Sequence, residues 1–318
     1  MGQQIFATNS LGGFLTNNQL SAQVRYQAQT MQKFRQFCDV MSEAGTNRGN
    51  KVFFDKISNI STGGGTLVET DTIPKRNYTI LQGTLTMTEY GNSIPFTQKV
   101  KTLADVQVPD TIRQVLTNDM KVVLDSAAAT QFMTNDYIAT ITNTATTTFG
   151  SSGTKVATAG ANMSDKNVRD IIDQMKKLLI PTRTDTGNYA CVASTNSIRG
   201  LYDFFEAKAQ LTSMDSLYIG EVGRYYGCRF VEETNFLSNV RGSNGLYGEA
   251  AFFGADAVRE GIAIPEEIRI GIPTDFGRDQ AIAWYALLGF QAPWSYSGVL
   301  NGQADAQTRI ITVQSLGT

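Results

Sequence analysis

The spacing of apolar residues changes character several times along the chain. Residues 1 to about 20 mix Asn, Gln, Gly and Thr with isolated Phe6 and Phe14 and show no period, which predicts an arm rather than a core element. From Leu20 to about Met41, the residues Val24, Met31, Phe34, Phe37 and Cys38 recur at near-helical spacing and predict a short amphipathic helix ended by Gly45. Between about Gly49 and Lys101 the pattern turns to strand. Val52-Phe53-Phe54 opens one arm, and Thr79 to Thr97, with the alternation Thr84-Leu85-Thr86-Met87, forms the second. Gly63-Gly64-Gly65 and Pro74-Lys75-Arg76-Asn77 lie between them as turn and loop signals, so the segment predicts a long hairpin. Arms of roughly 20 residues at about 3.3 Å each extend about 65 Å, whereas a globule of this length has a radius of gyration of about 20 Å. A fully extended hairpin would overrun its own fold and need a partner chain along its edges. The alternative is a segment folded back into an ordinary sandwich, and geometry leaves both open.

Asp110 to Phe132 carries the strongest helical pattern, with Pro109 at its start and Ile112, Val115, Leu116, Met120, Val123 and Ala127 on one stripe. The Thr-, Ser-, Gly- and Ala-rich stretch from about Ala139 to Ala161 reads as strand ends and loop, and as a candidate domain boundary. Ser164 is expected to cap a helix over 165–179 with the stripe Val168, Ile171, Ile172, Met175, Leu178 and Leu179, stopped by Pro181. A short buried strand over Asn188 to Ala193, a helix from about Asn196 to Lys208 and an alternating strand over Arg224 to Glu233 follow. Glu267 to Pro273, Gln280 to Trp294 and Thr308 to Ser315 are strand-like. The chain therefore reads as α+β, without the regular βαβ rhythm of a doubly wound sheet and without an internal repeat.

Composition narrows the chemistry. With 42% hydrophobic and 18% charged residues in 318, the chain can bury a sizeable core. A net charge of −2 argues against tight wrapping of nucleic acid through phosphate neutralisation. The basic lean of Arg25, Lys33, Arg35 and Arg48 reads as a solvated helix face, with a nucleic-acid contact as the alternative. Cys38, Cys191 and Cys228 are odd in number and widely spaced, which fits buried thiols in a reducing compartment. The first residues lack the pattern of a signal peptide, and the longest apolar run, Ala281 to Phe290, falls short of the roughly 20 residues that cross a bilayer. No membrane role is expected.

The chain has no histidine, which removes His general bases, Ser-His-Asp and Cys-His arrangements and every His-containing metal site. No phosphate-binding glycine motif is present, and Gly63-Gly64-Gly65 reads as a tight turn. Ser152-Gly153-Thr154-Lys155 matches the Ser/Lys hydrolase spacing, but a loop of small residues would not impose the geometry. Glu232 with Glu233 and Glu266 with Glu267 are sequence neighbours that a strand points to opposite faces, so they read as solvated charges rather than acid/base pairs. Asn59, Asn77 and Asn162 fall in glycosylation triplets by chance. Phe53, Phe54, Tyr78, Tyr90, Tyr225, Tyr226, Trp284 and Trp294 read as core or interface anchors rather than base-stacking platforms. No catalytic, cofactor or metal residue is expected.

In order along the chain, Gly49-x-Lys51-Val52-Phe53-Phe54, Gly65-x-Leu67-x-Glu69, Ile73-Pro74, Gly83-x-Leu85 and Glu89-Tyr90-Gly91-Asn92-x-Ile94-Pro95-x-Thr97 resemble major capsid proteins of tailed phages, in particular the coat family typified by N-4-type phages. The likeness runs through the Asp110 to Phe132 helix and loosens beyond it. It implies the HK-97-like fold: an N-terminal arm (1–24), a peripheral domain (25–48, 102–145 with a long spine helix, and 264–295), an extended hairpin loop (49–101), an axial domain (146–263) and a C-terminal strand returning to the axial domain (296–318).

The function so implied is a major capsid protein, not an enzyme, synthesised in the host bacterial cytoplasm and located in the virion. It would self-assemble as hexamers and pentamers of an icosahedral shell around weakly contacted double-stranded DNA, with scaffold, portal and decoration proteins as further partners. The expected intersubunit contacts are Phe53, Phe54, Glu69, Pro74, Lys75, Arg76, Tyr78 and Tyr90 on the hairpin and Phe6 and Phe14 on the arm. Deletion of residues 55 to 95 is expected to leave a folded, assembly-defective chain. The isopeptide cross-link found in some members of the fold is not transferred to Lys51, Lys56 or Lys75. An encapsulin-like compartment, a secreted β-rich surface-layer or adhesin subunit and a His-free hydrolase are the alternatives.

Overall fold

The computed structural model describes residues 33–41, 49–57, 65–70, 72–78, 80–104, 107–134, 137–150, 160–202, 204, 221–237, 247–294, 299–300, 303–304 and 308–316. In chain order these contain β1 (Asp39–Met41), β2 (Lys51–Ile57), β3 (Ile80–Thr86), β4 (Thr88–Thr97), α1 (Gln98–Leu103), α2 (Val108–Met133), β5 (Ile138–Asn143), β6 (Thr146–Gly150), α3 (Asp165–Lys177) and β7 (Tyr189–Ser194). They continue with α4 (Thr195–Ile198), β8 (Glu221–Tyr225), β9 (Cys228–Glu233), β10 (Tyr247–Phe253), β11 (Arg259–Ile270), β12 (Asp279–Gln291), β13 (Val299–Leu300), β14 (Gln303–Ala304) and β15 (Ile310–Leu316).

Two sheets carry the architecture: a four-stranded one in the order β1-β11-β12-β4 and a seven-stranded one in the order β6-β5-β15-β10-β7-β9-β8. The larger sheet is buried on both faces, and the alternation of side chains across a strand shows how. Ala190 and Val192 of β7, Ala251 and Phe253 of β10 and Ile310 of β15 face a core shared with α2. Cys191, Ala193, Ala250, Phe252, Ile311 and Val313 face a second core closed by Val168, Ile171, Ile172 and Met175 of α3. Each fully buried aliphatic or aromatic side chain contributes about 1.5–3 kcal/mol, so these two layers dominate the folding energy.

The helix α2, about 39 Å long at 1.5 Å per residue, spans both sheets. Its Leu116, Leu124, Ala128 and Phe132 share a core with Ile282, Trp284, Ala286 and Leu288 of β12 and with the inner residues of the seven-stranded sheet. Pro109 sits in its first turn, where a missing N–H is not needed. In α3, Ser164 and Asn167 form a reciprocal capping box, and Lys176 and Lys177 lie in the last turn, where they oppose the helix dipole favourably.

Several expectations are corrected. Gly45 lies outside the described residues; before it, Arg35–Phe37 form a 3₁₀ turn, and Asp39–Met41 enter the sheet beside β11 instead of continuing a helix. Arg35 is not on a solvated face: it bridges Glu260 at 2.8 Å and Glu266 at 2.7 Å in a nearly buried cluster. Glu233 is also buried, its carboxylate accepting the backbone N–H groups of Asn235, Phe236 and Leu237. Neither Glu233 nor Glu266 is therefore a solvated charge.

The single strand expected over 224–233 is the hairpin β8–β9, turned by Tyr226 (φ 49°) and Gly227 (φ 78°), the left-handed pair that a tight two-residue turn requires. The Tyr226 ring lies against Lys176 Nζ at 4.5 Å and its hydroxyl donates to Asp173, contacts that hold a non-glycine residue in this conformation. In the stretch read as strand ends and loop, residues 138–150 form the hairpin β5–β6, and Leu179, expected on the helical stripe, points to solvent. Strand β10 was not anticipated.

Candidate self-association surface

The segment expected as one long hairpin divides at Met87. Only β2 and β3 pair as a ribbon, in register from Lys51↔Thr86 to Ile57↔Ile80. β4 turns away and pairs over its whole length with β12, from Thr88↔Leu288 to Thr97↔Asp279. About half of the expected second arm thus completes its own sheet, and the deletion of residues 55 to 95 would remove most of a structural strand. β4 is the edge of that sheet, and Pro95 on it lacks an N–H for a further strand.

The ribbon itself has two different faces. Val52, Phe54, Leu85 and Met87 point inward and bury against Met41, with Ala263 and Leu287 at the margin. Gly83 lies opposite Phe54, whose ring fills the space above it; a Cβ at position 83 would stand 2.3 Å from Phe54 Cε2. The Arg259 guanidinium lies over that ring at 5.3 Å, and Lys56 Nζ donates to Pro293 O at 2.6 Å. The base of the ribbon is therefore fixed to its own body.

The opposite face is open. Phe53, Ile57 and Ile80 are 57, 64 and 53% exposed, and Lys51, Asp55 and Gln82 share their face by register. In the stretch between the two strands, Glu69, Pro74, Lys75, Arg76 and Tyr78 are all exposed, as are the apolar Leu67, Val68 and Ile73. Both outer backbone edges of β2 and β3 lack a paired strand among the described residues.

Of the expected contact residues, Phe53, Glu69, Pro74, Lys75, Arg76 and Tyr78 are each exposed. Phe54 faces inward, and Tyr90 packs against the α2 core, where burial raises its pKa. Phe6 and Phe14 lie outside the described residues. Ile57 and Ile80 were missed, although the alternation Lys51, Phe53, Asp55, Ile57 marks an outward row. A second exposed apolar group was also missed at the β11–β12 turn, where Ile270, Ile272 and Phe276 project to solvent and Asp275, Phe276 and Gly277 all have positive φ.

Among the described residues no group of three or more potential ligands could hold a metal ion, and no helix is long and apolar enough to cross a membrane. Ser152 and Lys155 lie outside the described residues.

No protein-family model and no curated protein sequence matches the chain. Solved structures do. The chain is similar to the capsid of Ralstonia phage GP4, with a TM-score of 0.63 and 14% identity over 98% of each chain. It is similar to the head structure of Helicobacter pylori bacteriophage KHP40, with a TM-score of 0.69 and 13% identity over 99% of this chain and 100% of that one. The capsid of the cyanophage P-SCSP1u matches with a TM-score of 0.65 and 10% identity over 96% of this chain and 94% of that one. The chain has the mixed α+β fold of these phage capsid structures along nearly its whole length, in keeping with the HK-97-like fold that the sequence resemblance implies.

Proposed function

We propose that the chain is the major capsid protein of a tailed phage, a non-enzymatic subunit that tiles with copies of itself into an icosahedral shell around double-stranded DNA. One observation carries the reading: the fold matches phage capsid and head structures end to end, with almost no residues of either chain left over. The order of the motifs from Gly49 to Thr97, which resembles that of the coat family of N-4-type phages, supports placing the chain in that family. Synthesis in the host cytoplasm, incorporation into the virion, and scaffold and portal partners belong to the same proposal.

In this reading the four-stranded sheet with α2 is the peripheral domain, the seven-stranded sheet is the axial domain, and β2–β3 with its connecting stretch is the extended loop. The outward row of Phe53, Ile57 and Ile80, with Glu69, Pro74, Lys75, Arg76 and Tyr78 beyond it, lies on a neighbouring copy. Burying three such apolar side chains contributes only a few times about 1.5–3 kcal/mol before association costs. A single contact is weak, and closed symmetry multiplies it into a stable shell.

Electron microscopy of the full chain expressed in bacteria tests the proposal. Closed shells or ring-shaped capsomers are expected; a protein that stays monomeric at high concentration would overturn it.

A further inference from the structure

We propose that Asp125 is a proton-operated clamp that holds residues Lys33 to Phe37 on the long helix, and that taking up a proton tightens its hold. The inference concerns the single chain and does not depend on the shell reading.

Asp125 lies within α2 and is 1% exposed. Its Oδ1 accepts three consecutive backbone N–H groups, from Lys33 at 3.0 Å, Phe34 at 2.9 Å and Arg35 at 3.1 Å. These donors open the 3₁₀ turn Arg35–Phe37, whose own N-cap residue, Phe34, provides no side-chain cap. A carboxylate 91 positions away in sequence thus supplies the cap. What it holds in place is apolar: Phe34 and Phe37 are fully buried, with Phe34 against Phe132 at 5.5 Å and Phe37 against Phe253 at 5.1 Å.

The two carboxylate oxygens are unequal. Oδ1 is saturated with donors, while Oδ2 is buried and has no hydrogen-bond partner among the described residues. A proton placed on Oδ2 removes the buried charge and leaves Oδ1 free to keep accepting. Burial is the main cause that pushes the Asp125 carboxyl up to about 6; the three N–H groups oppose the rise and the Glu233 carboxylate adds to it.

The other ionisable groups around the clamp are accounted for. Glu233, at the end of β9, caps the backbone of Asn235 to Leu237. Cys38, which follows the docked segment, has a thiol that burial keeps neutral. Lys33 and Arg35 belong to the same segment, and the Arg35 guanidinium is engaged by Glu260 and Glu266.

The sign follows from linkage. A solvated aspartate titrates near 3.8 and the docked one near 6, so the docked form binds the proton more tightly. Docking is therefore weakest above pH 6 and strengthens as pH falls toward 3.8, by about ten-fold between pH 7.5 and pH 5. The segment Lys33 to Phe37 is held more firmly in mild acid than at neutrality.

Hydrogen exchange read by mass spectrometry on the full chain tests this. Peptides covering Lys33 to Phe37, corrected for intrinsic exchange, should be about ten-fold better protected at pH 5 than at pH 7.5, while peptides from α3 and β7 change little. D125N cannot titrate but keeps an acceptor oxygen, so the difference should vanish. E233Q should move the midpoint of the wild-type profile to lower pH. A wild-type chain without the difference, a difference spread evenly over the whole chain, or a D125N variant that retains it would each overturn the proposal.

Discussion

Trp284 Nε1 on β12 donates to Asp119 Oδ2 on α2 at 2.8 Å, and Asn92 Nδ2 on β4 donates to the same oxygen at 3.0 Å. One carboxylate therefore ties the spine-like helix to two strands of the four-stranded sheet. The Trp284 ring is buried, so W284F should cost about 1–3 kcal/mol through the lost indole hydrogen bond and the lost packing. D119A should cost about 1–3 kcal/mol as well, because it leaves the buried Trp284 Nε1–H without its acceptor, while N92A, at an exposed position, should cost less. Urea denaturation of the three variants checks the order.

The Arg35 cluster should respond differently to single and paired replacement. Its hydrogen bonds hold the Glu266 carboxyl below the usual carboxylate range, while burial pushes the Glu260 carboxyl up. R35M strands Glu260 as a buried, uncompensated charge and is expected to destabilise the fold by about 3–5 kcal/mol. The double variant R35M/E260Q should recover a large part of that loss, and a double-mutant cycle in urea measures the coupling.

Gly83 is predicted to be intolerant of any side chain while Phe54 is present. G83V would displace the Phe54 ring and loosen the ribbon base by about 1–3 kcal/mol. Limited proteolysis should then cut the chain faster between β2 and β3 than in the wild type, with the far-ultraviolet signal of the two main sheets retained.

What was legible in the sequence follows from how local each signal is. Helices α2 and α3 repeat their apolar residues every three to four positions and carry local boundary marks in Pro109 and Ser164, so periodicity and capping suffice. β7 reads as a short apolar run because both of its faces are buried. Partner choice is not local: nothing between Thr79 and Thr97 marks that Thr86 pairs with Lys51 while Thr88 pairs with Leu288. Tyr226 hides a turn that an Asn would have announced, since its conformation is held by Lys176 and Asp173 from α3. Arg35 reads as solvated because its partners Glu260 and Glu266 lie far away in sequence, whereas Glu233 reads so because its partners are the backbone N–H groups of Asn235 to Leu237, which no side-chain pattern marks. On the candidate surface, the outward row was visible as alternation, but which of Phe53 and Phe54 faces the body depends on Gly83 and Arg259.

The ribbon's two faces should separate folding from assembly. F53S and I57S replace side chains on the open face, so each should change chain stability by no more than about 0.5 kcal/mol. Together they should abolish or strongly reduce particle formation in electron micrographs. Replacement of residues 58–79 by a two-residue Asn-Gly turn should act in the same way, because β2, β3 and β4 are then all left intact.

In the proposed shell, the open side of β2 and β3 is covered by a sister molecule. A photo-reactive phenylalanine analogue in place of Phe53, irradiated in the assembled protein, reads this directly. Covalent dimers and higher multimers on a denaturing gel are the expected result; irradiated chains that run only as monomers, from a protein that sediments as a monomer when concentrated, would contradict it.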